Sequence, residues 1–219
     1  RVVIWEMGTV ETDVPLAAFT MLSMLAYLVF RECNCTGIMV VFGLMVGSGI
    51  LFKLIGFVVA LAFAPMIIAD LISRKKYLTG LIIGPLVAFL VTLPHLINTF
   101  LLTGNPVYPL LASILNPHAI DPFQGIERIF GTGRGIIDFF MAPWTIFVMP
   151  MHYYDGMVFG GPFLLALAPL AFLKSGHVMV WRGILSFMFI YFAFWFWGFG
   201  QAARFLLPIL PFFCGLAAV

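Results

Sequence analysis

The sequence predicts an all-α fold: a polytopic bundle of about seven transmembrane helices with a long extracytoplasmic segment that carries interfacial helices. Three observations predict it. The 219 residues are 63% hydrophobic and only 9% charged, with a mean hydropathy of +1.13; this is more apolar surface than one soluble core of that size can hide. The apolar residues fall into runs close to the ~20 residues that cross a bilayer. Once those runs are laid out as spans, the charges segregate by sign between the two sides.

The runs place spans near residues 14–30, 37–52, 54–72, 77–98, 158–173, 183–199 and 205–219, all within one transmembrane domain over 1–219, and leave 99–157 as an outer segment. The first run ends at Arg31-Glu32. The stretch 36–72 is too long for one crossing and is interrupted by a single charge, Lys53, just after Gly47-Ser48-Gly49. Splitting it at Lys53 gives two short spans joined by a tight turn. The chain opens on Arg1 and stops at Val219 inside an apolar run, and so reads as an internal piece of a longer protein.

Short cytoplasmic loops collect Lys and Arg, which tests the split independently. With a turn at Lys53, the cytoplasmic face holds Arg31, Arg74, Lys75, Lys76, Lys174 and Arg182 against two acids, Glu32 and Asp70. The outer face then holds Arg1, Lys53, Arg128, Arg134 and Arg204 against Glu6, Glu11, Asp13, Asp121, Glu127, Asp138 and Asp155. An unsplit helix would put Arg31 and the 74–76 cluster on opposite sides.

The outer segment carries Pro106, Pro109, Pro117, Pro122, Pro143 and Pro150, which fragment any continuous helix. Its apolar part, 136–151, contains Asp138 and two of those prolines, and is read as lying in the interface, with Trp144, His152, Tyr153 and Tyr154 at headgroup level. The run Gly131-Thr132-Gly133-Arg134-Gly135 reads as a flexible turn or as a backbone cradle for phosphate. Cys33, Cys35 and Cys214 suggest neither a disulfide frame nor a zinc site, and no nucleic-acid partner is expected. His118 and His152, near Asp121 and Asp155, leave a divalent metal open without a diagnostic spacing; His95 reads as packed and His177 as cytoplasmic. The aromatic run 191–199 reads as a lipid-facing belt.

Five stretches, in order, resemble one family. They are "ETDVPLAAFTMLSMLAYLVF", "GLMVGSGILFKLIGFVVALAFAPMIIADLI", "TGNPVYPLL", "MAPWTIFVMPMHYYDGMVFGGPFLLALAPLAFL" and "GQAARFLLPILP". Together they look like the GT-C class of polytopic membrane glycosyltransferases, similar to protein mannosyltransferases and aminoarabinose transferases. One departure is Leu54, where the family usually has an aromatic residue after the turn lysine. The resemblance implies transfer of a sugar from a polyprenyl-phosphate donor to a lipid, glycan or protein acceptor on the extracytoplasmic side, in the plasma membrane of a prokaryote. It also implies an acidic catalytic residue upstream of Arg1, so this piece is not expected to work alone.

The remaining residues can be assigned roles on that basis. The leaving carrier phosphate gains negative charge, so cations fixed beside it stabilise the transition state more than the bound donor. Arg204 suits that role, because guanidinium presents a planar fork to phosphate oxygens, and Lys53 could supply a second cation. Asp13 is the candidate assisting carboxylate. Glu11, Gln201, Asn105, Tyr108, His152, Tyr153 and Asp155 are candidate substrate contacts. Plainer readings stand beside these: Arg204 reaching for lipid headgroups, Lys53 ending a helical hairpin, and Asp13 capping a helix before Pro15. A secondary transporter, a lipid-linked saccharide flippase and a non-catalytic scaffold of the same fold remain alternatives, although no internal repeat of the transporter kind is present.

Overall fold

Asp13 opens the first helix two residues before Pro15, a position where proline's missing N–H is no loss. In the computed structural model, which describes residues 13–73, 77–108, 115, 130–153, 178–198 and 201–212, this helix α1 runs Asp13–Cys33. It is followed by α2 (Thr36–Phe52), α3 (Gly56–Ser73), α4 (Leu78–Thr103), α5 (Ile136–Val148) and α6 (Val178–Gly198), with short 3-10 turns at Pro150–Tyr153 and Ala203–Leu206. Among the described residues there is no strand. Helices α1, α3 and α4 are long and apolar enough to cross a membrane. The runs at 158–173 and 213–219 lie outside the described residues.

The chain turns back at Lys53. The Lys53 N–H bonds the Gly49 carbonyl, and the Lys53 carbonyl accepts from Gly56 N–H, so α2 and α3 form a helical hairpin. Helices α1 to α4 therefore alternate in direction. Asp13, Lys53 and Thr103 share one end of the bundle; Arg31, Asp70 and Tyr77 share the other, where the Tyr77 hydroxyl donates to the Arg31 carbonyl at 3.2 Å.

Close backbone approach holds α2 on α4. A Cβ on Gly47 would lie 2.8 Å from Val91 Cβ, and one on Gly43 would strike the Gly84 carbonyl. A small-xxx-small pair is the expected device here, because helices surrounded by lipid associate through van der Waals packing rather than by expelling water. The bundle interior is a column of rings: Tyr27 beside Phe42 at 5.9 Å between centroids, Phe42 edge-on to Phe63 at 5.1 Å, and Phe63 against Phe187 at 4.7 Å.

Several sequence expectations need correction. The aromatic run 191–199 is not a lipid belt: Tyr191, Trp195 and Phe196 are fully buried, while Phe194 and Trp197 face outward. In a membrane both sides of a helix are apolar, so composition alone does not say which rings face protein. Helix α4 runs to Thr103 rather than stopping near 98, because nothing breaks it before Gly104, which ends it in the left-handed region at φ 73. Helix α6 begins at Val178 rather than 183, with Arg182 inside it. The stretch from 205 opens on tight i to i+3 turns instead of an α-helix; Pro208 has no N–H to offer the Arg204 carbonyl, which takes that of Leu207 instead.

Helix α5 has 13 residues, a length of about 20 Å against the ~30 Å of a hydrocarbon core. It buries Phe139, Ala142 and Ile146 and exposes Ile137, Phe140 and Trp144. Phe139 stacks on Trp197 at 4.5 Å and packs edge-on to Phe196, which lays the helix against the end of α6.

Candidate functional site

Asp13 and Lys53 meet at the bundle end formed by the start of α1 and the α2–α3 turn. The Lys53 ammonium bonds Asp13 Oδ1, with the carboxylate fully buried and the lysine side chain about one-fifth exposed. Asp13 Oδ2 is buried and accepts no hydrogen bond among the described residues. A buried carboxylate with one free oxygen is an unsettled group, since burial of an unmet acceptor costs about 1–3 kcal/mol.

The third charge arrives from the turn after α6. Two α6 side chains grip that turn on either side of Arg204: Trp195 Nε1 donates to the Ala202 carbonyl at 2.9 Å, and the Tyr191 hydroxyl donates to the Phe205 carbonyl at 2.7 Å. Arg204, half-buried, is thereby fixed beside the Phe205 ring, its guanidinium carbon 5.3 Å from the ring centroid. Lys53 Nζ lies 4.8 Å from the same centroid. Two cations thus flank a single ring, and one of them, Lys53, is bonded to the Asp13 carboxylate.

Gln201 looks the other way. Its carboxamide nitrogen donates to the carbonyls of Gly133 at 2.8 Å and Phe196 at 3.2 Å, and its side chain presses on Gly131, whose φ of 107 suits glycine. The 131–135 loop is tied further by Arg134 Nη1 donating to the Trp197 carbonyl and by Trp197 Nε1 donating back to the Arg134 carbonyl, at 2.9 and 3.0 Å. This loop, read from sequence as a flexible turn or phosphate cradle, is pinned to the α6 end.

The other candidates divide in the same way. Asn105 is fully buried in the turn after α4, its Oδ1 accepting from Val107 N–H at 3.0 Å and its carbonyl from Tyr108 N–H at 3.2 Å, which leaves Tyr108 half-buried at the turn's exit. Tyr153 is fully buried, with its hydroxyl between Thr132 Oγ1 at 2.9 Å and Thr145 Oγ1 at 2.6 Å. His152 is exposed and its carbonyl accepts from Gly131 N–H at 2.6 Å. Glu11 and Asp155 lie outside the described residues, as do His118 and Asp121. Among the described residues no three metal-ligating side chains come together.

One cluster at the opposite end was missed. Asp70, read only as a cytoplasmic acid, is buried on α3, where it accepts from the Tyr27 hydroxyl at 2.6 Å and lies 3.1 Å from Arg31 Nε. Its place within an apolar helix was the available signal, because ionisable groups there face a partner or a cavity.

Comparison with known proteins finds no protein family, no curated protein and no solved structure that matches the chain. Among the described residues, fold and site define an all-helical structure with three helices suited to crossing a membrane and a charged cluster at each end of the bundle.

Proposed function

We propose that this chain is part of a membrane glycosyltransferase of the GT-C kind, moving sugar from a polyprenyl-phosphate donor to an acceptor on the extracytoplasmic side of a prokaryotic plasma membrane, with about seven spans in this region. The observation that carries the proposal is the convergence of Lys53 and Arg204 on the Phe205 ring beside the buried Asp13.

In this reading Arg204 holds the carrier phosphate. Its fork can engage two phosphate oxygens, and the gain grows as the leaving phosphate takes on charge. Lys53 is paired with Asp13, so its part is to orient that carboxylate and to add a nearby positive field. The free Oδ2 of Asp13 is the acceptor available for a sugar or acceptor hydroxyl. Gln201, Asn105 and Tyr153 are positioning residues: the Gln201 carboxamide nitrogen and the Asn105 Oδ1 are bonded to backbone, and the Tyr153 hydroxyl to neighbouring hydroxyls. Helix α5, with one face on α6 and the other exposing Ile137, Phe140 and Trp144, suits the headgroup layer above the carrier's lipid path.

The test is transfer of labelled sugar from a panel of polyprenyl-monophosphate sugars by membranes containing the full-length gene product. Transfer that falls by about a hundredfold or more in Arg204→Ala at matched expression supports the reading, a size typical of losing a donor to transition-state charge. Absence of transfer from every donor turns the assignment toward a transporter, a flippase or a non-catalytic scaffold.

A further inference from the structure

At the end of the bundle opposite Lys53, helices α1, α3 and α6 enclose a cavity of about 260 Å³. Its polar lining includes Arg31, Asp70, Arg182 and Ser186 along with Tyr27 and Ser73; Met66 and Ala69 are part of its apolar wall. Asp70 is already committed: Tyr27 donates to it at 2.6 Å and Arg31 Nε lies 3.1 Å away, with the two ionic side chains only 13% and 7% exposed. Arg31 Nε is buried, yet its N–H meets no acceptor along its axis. Arg182 is exposed at the cavity mouth and makes no ion pair or hydrogen bond among the described residues. Among the described lining residues there are one carboxylate and two guanidinium groups, a formal surplus of one positive charge.

We propose that this cavity binds a monoanionic phosphate ester, held by Arg182 and Arg31 with the Ser186 hydroxyl as a further donor. The ligand chemistry follows from charge, shape and size. A phosphodiester of charge −1 cancels the surplus, and guanidinium matches its oxygens as a fork. The volume is just below the ~300–1,000 Å³ of ordinary small-molecule sites, enough for a phosphate with a short polyol and too small for a nucleotide sugar. The Met66 and Ala69 wall accepts an apolar stem. A zwitterionic choline headgroup fits poorly, since its ammonium would meet the arginines. The phosphate can come from the headgroup of an anionic bilayer lipid or from a soluble ester. The proposal stands apart from the glycosyltransferase reading, because no residue is shared between the two clusters.

The experiment places the protein in phosphatidylcholine nanodiscs doped with phosphatidylglycerol, and reads bound lipid by native mass spectrometry, with glycerophosphoglycerol, a soluble phosphodiester, added as competitor. Arg182→Gln is the main variant, since its side chain is exposed and the Asp70 pair stays intact, and Ser186→Ala is the second. Retention of phosphatidylglycerol that weakens about tenfold in Arg182→Gln, the scale of a lost charge-assisted bond, supports the site. Displacement of the lipid by the soluble diester assigns the soluble source, and its failure to displace assigns the bilayer source. Equal retention by the protein and Arg182→Gln, with no binding of glycerophosphoglycerol, overturns the proposal and leaves Arg182 a surface cation.

Discussion

Lys53 and Asp13, 40 residues apart in sequence, form a buried ion pair that ties the α2–α3 turn to the start of α1. Removing one partner leaves the other charged and buried, which costs about 3–5 kcal/mol when exposure is low. Lys53→Met is expected to destabilise the protein by about 3 kcal/mol, less than the upper figure because the lysine is partly exposed. Asp13→Asn combined with Lys53→Met recovers most of that loss, as the uncompensated charge is gone. Unfolding in mixed micelles measures both, and an additive double variant would show that the two residues do not interact.

The α2–α4 contact depends on the absence of side chains at Gly43 and Gly47. Gly43→Leu is expected to cost at least 3 kcal/mol, above the ~1–3 kcal/mol of ordinary overpacking, because the obstacle is the Gly84 backbone and not a movable side chain. Gly37→Leu is the matched control, since a Cβ there touches only Cys35 Sγ at 3.8 Å. Equal midpoints for the two variants would show that α2 does not pack closely on α4.

These two features divide what a reader of the sequence can see. The hairpin was legible because a lone charge inside 36–72 is costly anywhere but near an interface, and the sign of the flanking loops agreed. The Gly43–Gly47 spacing was equally visible in "GLMVG" and was passed over. The partner of Asp13 was not legible, because nothing local links residues 13 and 53. The burial of Tyr191 and Trp195 was hidden for another reason: lipid and protein interiors select the same apolar side chains, so only contacts such as Trp195 with the Ala202 carbonyl reveal the inward face. Gln201 had the right residue type for a ligand, yet its carboxamide nitrogen bonds backbone carbonyls, Phe196 on α6 and Gly133 in a loop 68 positions away.

That loop gives a third prediction. Gln201→Ala removes the bond to the Gly133 carbonyl and is expected to cost about 1 kcal/mol, while Trp197→Phe keeps the stack on Phe139 but loses the indole bond to the Arg134 carbonyl. Both variants should speed hydrogen exchange across 131–135 by about fivefold or more and leave α2 unchanged. Exchange unaltered in the loop would mean that these bonds do not hold it.

At the other end, the Tyr27 hydroxyl serves Asp70 at 2.6 Å and the Met66 carbonyl at 2.9 Å. Tyr27→Phe is expected to destabilise by about 1–3 kcal/mol, the penalty for unmet buried acceptors. The Arg31–Asp70 ion pair remains in that variant, so the loss should stay below that of Arg31→Ala. Thermal unfolding of the two variants side by side gives the order, and a reversed order would show that the hydroxyl matters more than the charge pair.

The most direct test of the central claim is binding of a polyprenyl phosphate, compared with the uncharged polyprenol, to the protein in phosphatidylcholine nanodiscs, with Arg204→Ala and Arg204→Lys alongside. The account predicts a preference for the phosphate of about tenfold or more, lost in Arg204→Ala and partly kept in Arg204→Lys, which retains charge without the fork. Equal binding of phosphate and alcohol, or a preference that survives in Arg204→Ala, would contradict it.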